Sequence, residues 1–281
     1  MLVRFWGVRG STPTPQSENL RYGGNTSCVE VRVNEHIYIF DCGTGFRNLG
    51  KQLALEQEAQ KAHNGRTEHP ISAHVFLSHF HWDHIQGIPF FAPLYGDRNN
   101  SFVFHSSNQT RGLQTALEEQ MADPYFPVKM DEMAAQRKFS NIDEGRIAFD
   151  HCTVDAKWLN HPQGCLGFRL EAEGKVLVYA TDNEPGHTIF DKNVRKLAEG
   201  ADVLIYDAQY LPDEYAARKQ GWGHSHWREA VNIVMESGVK ELILFHHDPD
   251  HSDTCIDSVV TKAREYYPKV RAAAEGMELV L

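Results

Sequence analysis

Apolar and polar positions alternate in the first part of the chain. The segment SCVEVRV at 27–33 alternates, and HIYIFD at 36–41 is a mostly apolar run that continues into Cys-Gly-Thr-Gly. Alternation with a period of two is typical of strands, so both segments predict paired strands followed by a glycine-rich turn. The helix formers of LGKQLALEQEAQKA at 49–62 predict a helix, which HNGRTEHP ends before a strand-like apolar run at 75–77.

Strand and helix patterns alternate in the last half of the chain. Strands are predicted for RIAFD (146–150), CTVDAKWL (152–159), CLGFRLEAEGKVLVYATD with a Glu-Gly turn (165–182), ADVLIYD (201–207) and ELILFHHD (241–248). Helices are predicted for NVRKLAEG (193–200), HWREAVNIVMESG (226–238) and TCIDSVVTKAREYY (254–267). This order predicts an α/β protein with two sheets stacked face to face and helices outside.

Residues 97–145 depart from this pattern. A helix pattern runs up to Met121, and the following Asp-Pro-Tyr-Phe-Pro ends it because each proline restricts the residue before it. We interpret the stretch as a helical and loop excursion from a single domain spanning residues 1–281. The excursion could lid a site, with Tyr125 and Phe126 offering aromatic faces to a base, and a decoration with no role in binding is the alternative.

Composition limits the classes of protein that the chain can belong to. Of 281 residues, 41% are hydrophobic and 11% aromatic, which is enough for a packed core and too much for a disordered chain. The net charge of −10 and the absence of a Lys/Arg-rich run disfavour nucleic acid and favour a small substrate. Without a bilayer-length apolar run or a secretory start, we expect a cytoplasmic protein with no membrane partner. The scattered cysteines predict unpaired core thiols: Cys28, Cys42, Cys152, Cys165 and Cys255.

One short stretch of the chain contains several residues that can bind a metal ion. LSHFHWDHIQG at 77–87 places His79, His81, Asp83 and His84 within six positions, directly after the apolar run. His79 and His81 stand two apart on an extended segment, so both side chains leave the same face. Imidazole nitrogen suits zinc, iron, copper or nickel, and a carboxylate adds a harder ligand that can hold a second ion, so the stretch predicts a metal site. Histidines without such a context are predicted to lie at the surface: His36, His63, His105 and His187.

The same stretch resembles the HxHxDH signature of the metallo-β-lactamase superfamily, whose αββα fold is a sandwich of two β-sheets flanked by helices. Further similar motifs occur in the family's order: FDCGTG (40–45), LNHP (159–162), YATD (179–182) and LFHH (244–247). The resemblance implies one metal ion held by His79, His81 and His161, and a second held by Asp83, His84 and His246, with Asp182 between them.

Some of these assignments have alternatives that stay open. Asp41 would support the metal site from behind the ligands, or it is an ordinary turn residue. His161 is alternatively a loop histidine, and Asp182 a loop cap. His246 is preferred over His247 because only one of the two can follow the inward face of the strand.

Two other stretches resemble the branch that contains ribonuclease Z and its small-molecule phosphodiesterase relatives. They are YDAQ (206–209) and GWGHSHWREA (221–230), and the N-terminal GVRGS (7–11) and RYGGNTS (21–27) look like the opening of these phosphodiesterases. The resemblance implies that His224 stabilises or protonates the leaving oxygen and that Asp207 fixes its tautomer. Asp83 is also assigned a catalytic role. For this stretch Ser225 as a helix N-cap is the structural alternative, and His226 is the alternative catalytic histidine.

The resemblance therefore implies a metal-dependent phosphodiesterase with two divalent ions, zinc first and manganese second, in which a hydroxide held between the ions attacks phosphorus. The Gly/Pro-rich basic arm with which ribonuclease Z binds tRNA is not found between Asp182 and His246. A small phosphodiester, with cyclic nucleotides as the class this branch suggests, is the predicted substrate. The alternatives are a ribonuclease Z-like RNA 3′-processing endonuclease, a non-phosphoester metallo-hydrolase, an iron oxidoreductase and a catalytically silent metal-binding protein. Because relatives often dimerise, a homodimer is also open.

Overall fold

The computed structural model describes residues 1–64, 70–107 and 112–281, with the backbone alone at residues 63 and 64. Within these residues, fourteen strands form two seven-stranded sheets. In chain order they are β1 (Leu2–Gly7), β2 (Cys28–Val33), β3 (His36–Phe40), β4 (Ser72–Phe76), β5 (Ser101–Ser106), β6 (Gln136–Asn141), β7 (Gly145–Ala148), β8 (Thr153–Leu159), β9 (Cys165–Ala172), β10 (Lys175–Ala180), β11 (Val203–Asp207), β12 (Glu241–Phe245), β13 (Val270–Ala272) and β14 (Glu278–Val280).

The described residues also form helices between these strands. The α-helical segments are α1 (Gly45–Asn64), α2 (Trp82–Ile85), α3 (Ala92–Tyr95), α4 (Leu113–Glu119), α5 (Thr188–Ala198), α6 (Pro212–Glu214), α7 (Trp227–Ser237) and α8 (Asp253–Arg264). Single 3₁₀ turns lie at Ser17–Asn19, Ile88–Phe90 and Met130–Glu132, and a π-helical turn lies at Tyr215–Lys219. No helix of the described residues is both long enough and apolar enough to span a bilayer.

The strand order brings the carboxyl ends of several strands to one edge of the molecule. The first sheet has the order β14-β1-β2-β3-β4-β5-β6, in which β3 to β6 run parallel. The second has the order β13-β12-β11-β10-β9-β8-β7, in which β10 to β13 run parallel and β8 runs in the same direction as β10. Residues that follow β3, β4, β8, β10, β11 and β12 can therefore meet at these ends.

Large apolar side chains join the two sheets. The ring of Phe40 lies 5.7 Å from Phe168 and 5.4 Å from Tyr179, between ring centroids, and Phe5 lies 6.2 Å from Phe245. Separate buried clusters lie between the first sheet and α1 and between the second sheet and helices α5, α7 and α8. This architecture confirms the predicted αββα sandwich.

Several strands were not predicted from the sequence. Strands β5 and β6 lie inside the predicted excursion at 97–145 and extend the first sheet, so that region contributes strands as well as helix α4. Strands β13 and β14 have three residues each and stand at sheet edges, where little of the apolar pattern is needed. Strand β1 has six residues and lies between β14 and β2, and it was missed although its residues alternate in burial. The predicted helix break at 63–70 falls largely outside the described residues.

The prediction of a surface position is wrong for His105. Its side chain is buried, its ring packs on Phe76 with centroids 4.6 Å apart, and its Nε2 lies 2.9 Å from Nδ1 of His74. His36 and His187 are exposed, and the side chain of His63 lies outside the described residues. The five cysteines are all unpaired as predicted, and Cys255 alone among them is half-buried.

Candidate active site

All seven predicted metal ligands lie together where the two sheets end. His79 and His81 belong to the loop after β4, and Asp83 and His84 to the short helix α2 that follows it. The other three ligands come from the second sheet, after β8, β10 and β12. The donor atoms of all seven residues fall into overlapping groups, and within each group the atoms lie within 4.8 Å of one another. The seven residues are His79, His81, Asp83, His84, His161, Asp182 and His246.

One group of ligands consists of three imidazoles. His79, His81 and His161 each offer a nitrogen to this group, and Nε2 of His161 lies 3.1 Å from Nδ1 of His81. Nε2 of His79 is buried and has no hydrogen-bond partner in the part of the chain that the structure describes. Leaving such an atom unpaired costs about 1–3 kcal/mol, so this nitrogen indicates a missing ligand.

The second group contains a carboxylate and two imidazoles. Nε2 of His246 lies 3.2 Å from Oδ2 of Asp83 and 3.2 Å from Nε2 of His84. Ligand atoms about 2.1 Å from a tetrahedral zinc ion lie about 3.4 Å from one another, so this spacing suits a common metal ion. All three side chains are buried.

Asp182 lies between the two groups. Its Oδ1 lies 3.8 Å from Nε2 of His79 and 3.7 Å from Nε2 of His161. Its Oδ2 lies 3.3 Å from Nε2 of His84 and 3.4 Å from Nε2 of His246. Burial by itself would raise the pKa of Asp182, but the imidazoles of His246 and His84 hold that pKa well below its ordinary value. The carboxylate is therefore charged, and each of its oxygens faces a different group.

Asp41 fixes one ligand from behind. Its Oδ2 lies 2.7 Å from Nδ1 of His84 and accepts a hydrogen bond of 2.7 Å from the Tyr179 hydroxyl. Ser78 donates to the same carboxylate through its backbone N–H and its hydroxyl. A proton on Nδ1 of His84 leaves Nε2 with a lone pair for a metal, which is the arrangement that metal-binding histidines adopt.

Other hydrogen bonds orient the remaining imidazoles, and sequence reasoning missed these partners. Nδ1 of His246 lies 2.9 Å from Oε1 of Gln209, and Nδ1 of His161 lies 2.8 Å from the carbonyl oxygen of Gly223. Gln209 belongs to the YDAQ stretch, so its nearness to Asp207 was a signal. No local pattern indicates that a backbone carbonyl such as that of Gly223 holds a ligand.

The backbone of the site is strained at several residues. Asp41, Asp182 and His246 have φ values of 60°, 55° and 61°, and Ser11 has 61°. Non-glycine residues hold such left-handed conformations only where surrounding contacts fix them, and they gather at functional sites. Gly10 is needed for a different reason, because a Cβ there would lie 2.5 Å from Nδ1 of His246.

The predicted catalytic pair is assembled beside the ligands. Nδ1 of His224 lies 2.9 Å from Oδ2 of Asp207, which also accepts from the backbone N–H of Asp182. Burial alone would lower the pKa of His224, but the Asp207 carboxylate outweighs it and raises that pKa. His224 is thus held in one orientation with a tendency to carry a second proton.

The neighbouring histidines have other roles. His226 is the N-cap of α7, where its Nδ1 accepts from the backbone N–H of Glu229 at 3.2 Å, so the alternative that Ser225 caps this helix is wrong. The Nε2 of His247 bonds to the carbonyl oxygen of Ala273 at 3.0 Å, and burial lowers the pKa of His247 to about 3. The structure thus brings His246, and not His247, into the ligand cluster.

A cavity of about 430 Å³ lies over this cluster. Its lining residues are Ser11, Phe80, His81, Trp82, Asp83, Asp182 and His224. Among the described residues, none from 97–145 lines it; Tyr125 is 82% exposed and the ring of Phe126 packs edge-on against Phe90. The lid over the site stays a prediction. A separate cavity of about 470 Å³ on the second sheet, beside Arg146 and Arg169, contains none of the predicted ligands.

A family model described as "Beta-lactamase superfamily domain" matches residues 36–247. The chain belongs to the β-lactamase superfamily. A superfamily relative, ribonuclease Z of Haloarcula marismortui, is 25% identical over 325 positions, which cover 99% of this chain and 96% of the relative.

Solved structures of the superfamily share the fold. The metallo-β-lactamase fold protein YhfI from Bacillus subtilis superimposes with a TM-score of 0.71 at 19% identity, over 99% of this chain and 98% of YhfI. A diphosphatase from the PhnP family superimposes with a TM-score of 0.69 at 16% identity, over 100% of this chain and 97% of that protein. The comparisons confirm the predicted superfamily and its ribonuclease Z-like branch, and this member is therefore a metallo-hydrolase by family.

The name of the curated relative conflicts with one prediction. Composition disfavoured nucleic acid as a partner, whereas the relative from Haloarcula is a ribonuclease. The alignment with that relative runs over 325 positions and this chain has 281 residues, so at least 44 positions have no residue here. The two proteins therefore differ by insertions within an otherwise full-length match.

Proposed function

We propose that this protein is a metal-dependent phosphodiesterase that hydrolyses a small phosphodiester, with cyclic nucleotides as the substrate class. The observation that carries the proposal is the position of His224 on the cavity that also borders the ligand cluster, with its Nδ1 held 2.9 Å from Oδ2 of the buried Asp207. A histidine whose pKa is raised by a carboxylate is suited to give a proton to a leaving oxygen.

The donor set fits two divalent ions, for which we propose zinc, with manganese as the alternative. The residues that would hold them are His79, His81 and His161 for one ion, Asp83, His84 and His246 for the other, and Asp182 for both. Such ions, when bound, polarise a phosphoryl oxygen and make water a stronger nucleophile.

Residues of the chain would then orient the attacking water and donate a proton to the leaving oxygen. Asp207 holds Nδ1 of His224 and leaves its Nε2 to protonate the ribose oxygen as it departs. Asp83 lines the cavity and accepts a hydrogen bond of 2.7 Å from the backbone N–H of Ser11, so its carboxylate is fixed in place to orient the attacking water.

Size and charge support a small substrate. The cavity of about 430 Å³ is of the size that small-molecule sites have. The net charge of −10 gives the chain little attraction for a polyanion. The insertions of at least 44 positions in the ribonuclease from Haloarcula are absent from this chain, as is the basic arm expected of a tRNA-binding enzyme.

The test compares two leaving groups in protein loaded with Zn²⁺ or Mn²⁺. Bis(p-nitrophenyl) phosphate releases nitrophenolate, which needs no proton, whereas a cyclic nucleotide releases a ribose oxygen that does. We expect turnover of both by the wild type, and a loss of about 10²–10⁴-fold in kcat for His224→Ala on the cyclic nucleotide, with a much smaller loss on the nitrophenyl ester.

Two controls make the result decisive. Metal content by elemental analysis must be equal in His224→Ala and wild type, and His187→Ala tests the loss of an exposed histidine outside the site. No turnover of either ester by the loaded protein, with hydrolysis of β-lactams or thioesters instead, would refute the proposal. Equal losses of kcat on both esters in His224→Ala would refute the proton-donor role of His224.

A second candidate function is RNA 3′-end processing, which the full-length match to a ribonuclease favours. An enzyme of this kind would cleave a tRNA precursor, and its binding would weaken steeply with salt because phosphate contacts release counterions. A kcat/KM for the tRNA precursor above that for every cyclic nucleotide tested would replace the small-substrate proposal.

A further inference from the structure

A tryptophan lies among the metal ligands. Trp82 stands between His81 and Asp83, lines the cavity, and has 78% of its side chain exposed. Its indole makes no hydrogen bond to other described residues. A large apolar side chain that stays open at the mouth of a polar site is a feature that the packing of the core does not explain.

The backbone that carries Trp82 is held firmly. Trp82 is the first residue of α2, its carbonyl accepts from the N–H of Gln86 at 2.7 Å, and the N–H of His84 donates to the carbonyl of His81 at 3.0 Å. The next side chain along, Asp83, is tied to the N–H of Ser11. The root of the indole is therefore fixed relative to the ligands, so binding against it would cost little ordering of the backbone.

The cavity wall divides into two chemical parts. Ser11, His81, Asp83, Asp182 and His224 give a polar part, where metal ions held by the cluster would offset the carboxylate charge and attract a phosphate. Phe80 and Trp82 give the aromatic part of the lining. A substrate that fills both parts has a phosphate joined to a flat apolar ring, as a nucleotide has.

We infer that Trp82 is the platform on which the nucleobase of the substrate stacks, and that it sets the preference of the site for nucleotides over phosphodiesters without a base. The inference rests on the proposed function and names its specificity residue. It assigns to Trp82 the stacking role that the sequence suggested for Tyr125, which does not line the cavity. Stacking of one base on an aromatic side chain corresponds to an affinity gain of about 5- to 150-fold.

Binding of AMP and of ribose 5-phosphate to the zinc-loaded protein tests this inference by isothermal titration calorimetry. The two probes share the sugar and the phosphate and differ in the base. We expect the wild type to bind AMP more tightly, Trp82→Ala to lose about 5- to 150-fold in AMP affinity with ribose 5-phosphate unchanged, and Trp82→Phe to keep most of the preference.

Other variants distinguish stacking on Trp82 from an effect of losing any exposed aromatic ring. Tyr266→Ala removes an aromatic ring that is 48% exposed and packs on Arg228, and it should bind both probes as the wild type does. Equal affinity of the wild type for the two probes, absence of binding of both, or a loss of AMP preference in Tyr125→Ala instead of Trp82→Ala would overturn the inference. An AMP preference that depends on Trp82 without any phosphodiester turnover would leave the inference standing and refute the proposed function alone.

Discussion

The pair of buried His105 and half-buried His74 makes the stability of the fold depend on pH. The His105 ring lies against Phe76, its Nε2 lies 2.9 Å from Nδ1 of His74, and its own Nδ1 has no hydrogen-bond partner among the described residues. Burial lowers the pKa of His105 from 6.5 to about 4 and also lowers the pKa of His74. Among the described residues no carboxylate raises the pKa of either imidazole, so a proton on this pair would carry an unbalanced charge.

The sign of the effect follows from which state binds the proton first. In the unfolded chain His105 takes up a proton below pH 6.5, whereas in the folded chain it does so only near pH 4. Stability is therefore complete above about pH 6.5 and falls between pH 6.5 and pH 4. The difference in pKa corresponds to about 3 kcal/mol, of which about 2 to 3 kcal/mol is lost by pH 4.5.

The assay is guanidinium unfolding followed by circular dichroism at pH 7 and at pH 4.5, with EDTA present so that metal release does not contribute. We expect His105→Phe, which keeps an apolar ring against Phe76, to lose about 2 to 3 kcal/mol less than the wild type between these two pH values. His187→Phe, at an exposed position, controls for the removal of one imidazole. The same pH dependence in His105→Phe and wild type would refute the reasoning.

Three further substitutions test the surroundings of the site. Asp41→Asn weakens the hold on Nδ1 of His84, and we expect a 10- to 100-fold loss of metal affinity, measured by competition with a chromogenic chelator. Gly10→Ala puts a Cβ 2.5 Å from Nδ1 of His246, so we expect a folded protein with less bound metal by elemental analysis. Arg9→Met removes a fully buried guanidinium that donates to four backbone carbonyls, and we expect a loss of about 3–5 kcal/mol in the free energy of unfolding.

Two of these, Gly10→Ala and Arg9→Met, have a matched control. Gly96→Ala adds a Cβ that would lie 3.7 Å from the carbonyl oxygen of Ala92, an ordinary contact distance, so metal content should stay at the wild-type value. Arg4→Met removes an arginine paired with Glu278 on the surface and should cost at most about 1 kcal/mol. Wild-type metal affinity in Asp41→Asn, wild-type metal content in Gly10→Ala, or a loss in Arg9→Met no larger than in Arg4→Met would contradict the corresponding expectation.

The local sequence pattern predicted the strands whose own residues form a continuous buried apolar run. Strands β9 to β12 are long apolar runs at the centre of the second sheet, and the pattern identified all of them. Strands β1 and β14 pair Leu2 with Val280, across almost the whole chain, and no local pattern contains a partner so distant. Strand β6 lies at an edge with three of its six residues exposed and none fully buried, so its sequence carries little apolar alternation.

The candidate ligands could be proposed from the sequence because a metal requires specific donor types, and the spacing of the motifs reflects that requirement. The groups that orient those ligands were harder to foresee. Tyr179 reaches Asp41 over 138 positions through the packing of one sheet on the other, and any buried tyrosine at that register has the same local sequence signature. His105 was misjudged for a related reason, since a polar residue becomes buried when a neighbouring strand supplies its partner.

The ligand cluster contains residues from both sheets, so metal binding there would tie the lifetime of the folded chain to the supply of metal in its surroundings. An ion that binds the native arrangement and not the unfolded chain stabilises the fold by mass action, by about 4 kcal/mol when free metal is a thousandfold above its dissociation constant. Metal starvation would then open the sandwich at this edge and expose its interior to proteases. The abundance of the protein, as well as its activity, would follow metal availability.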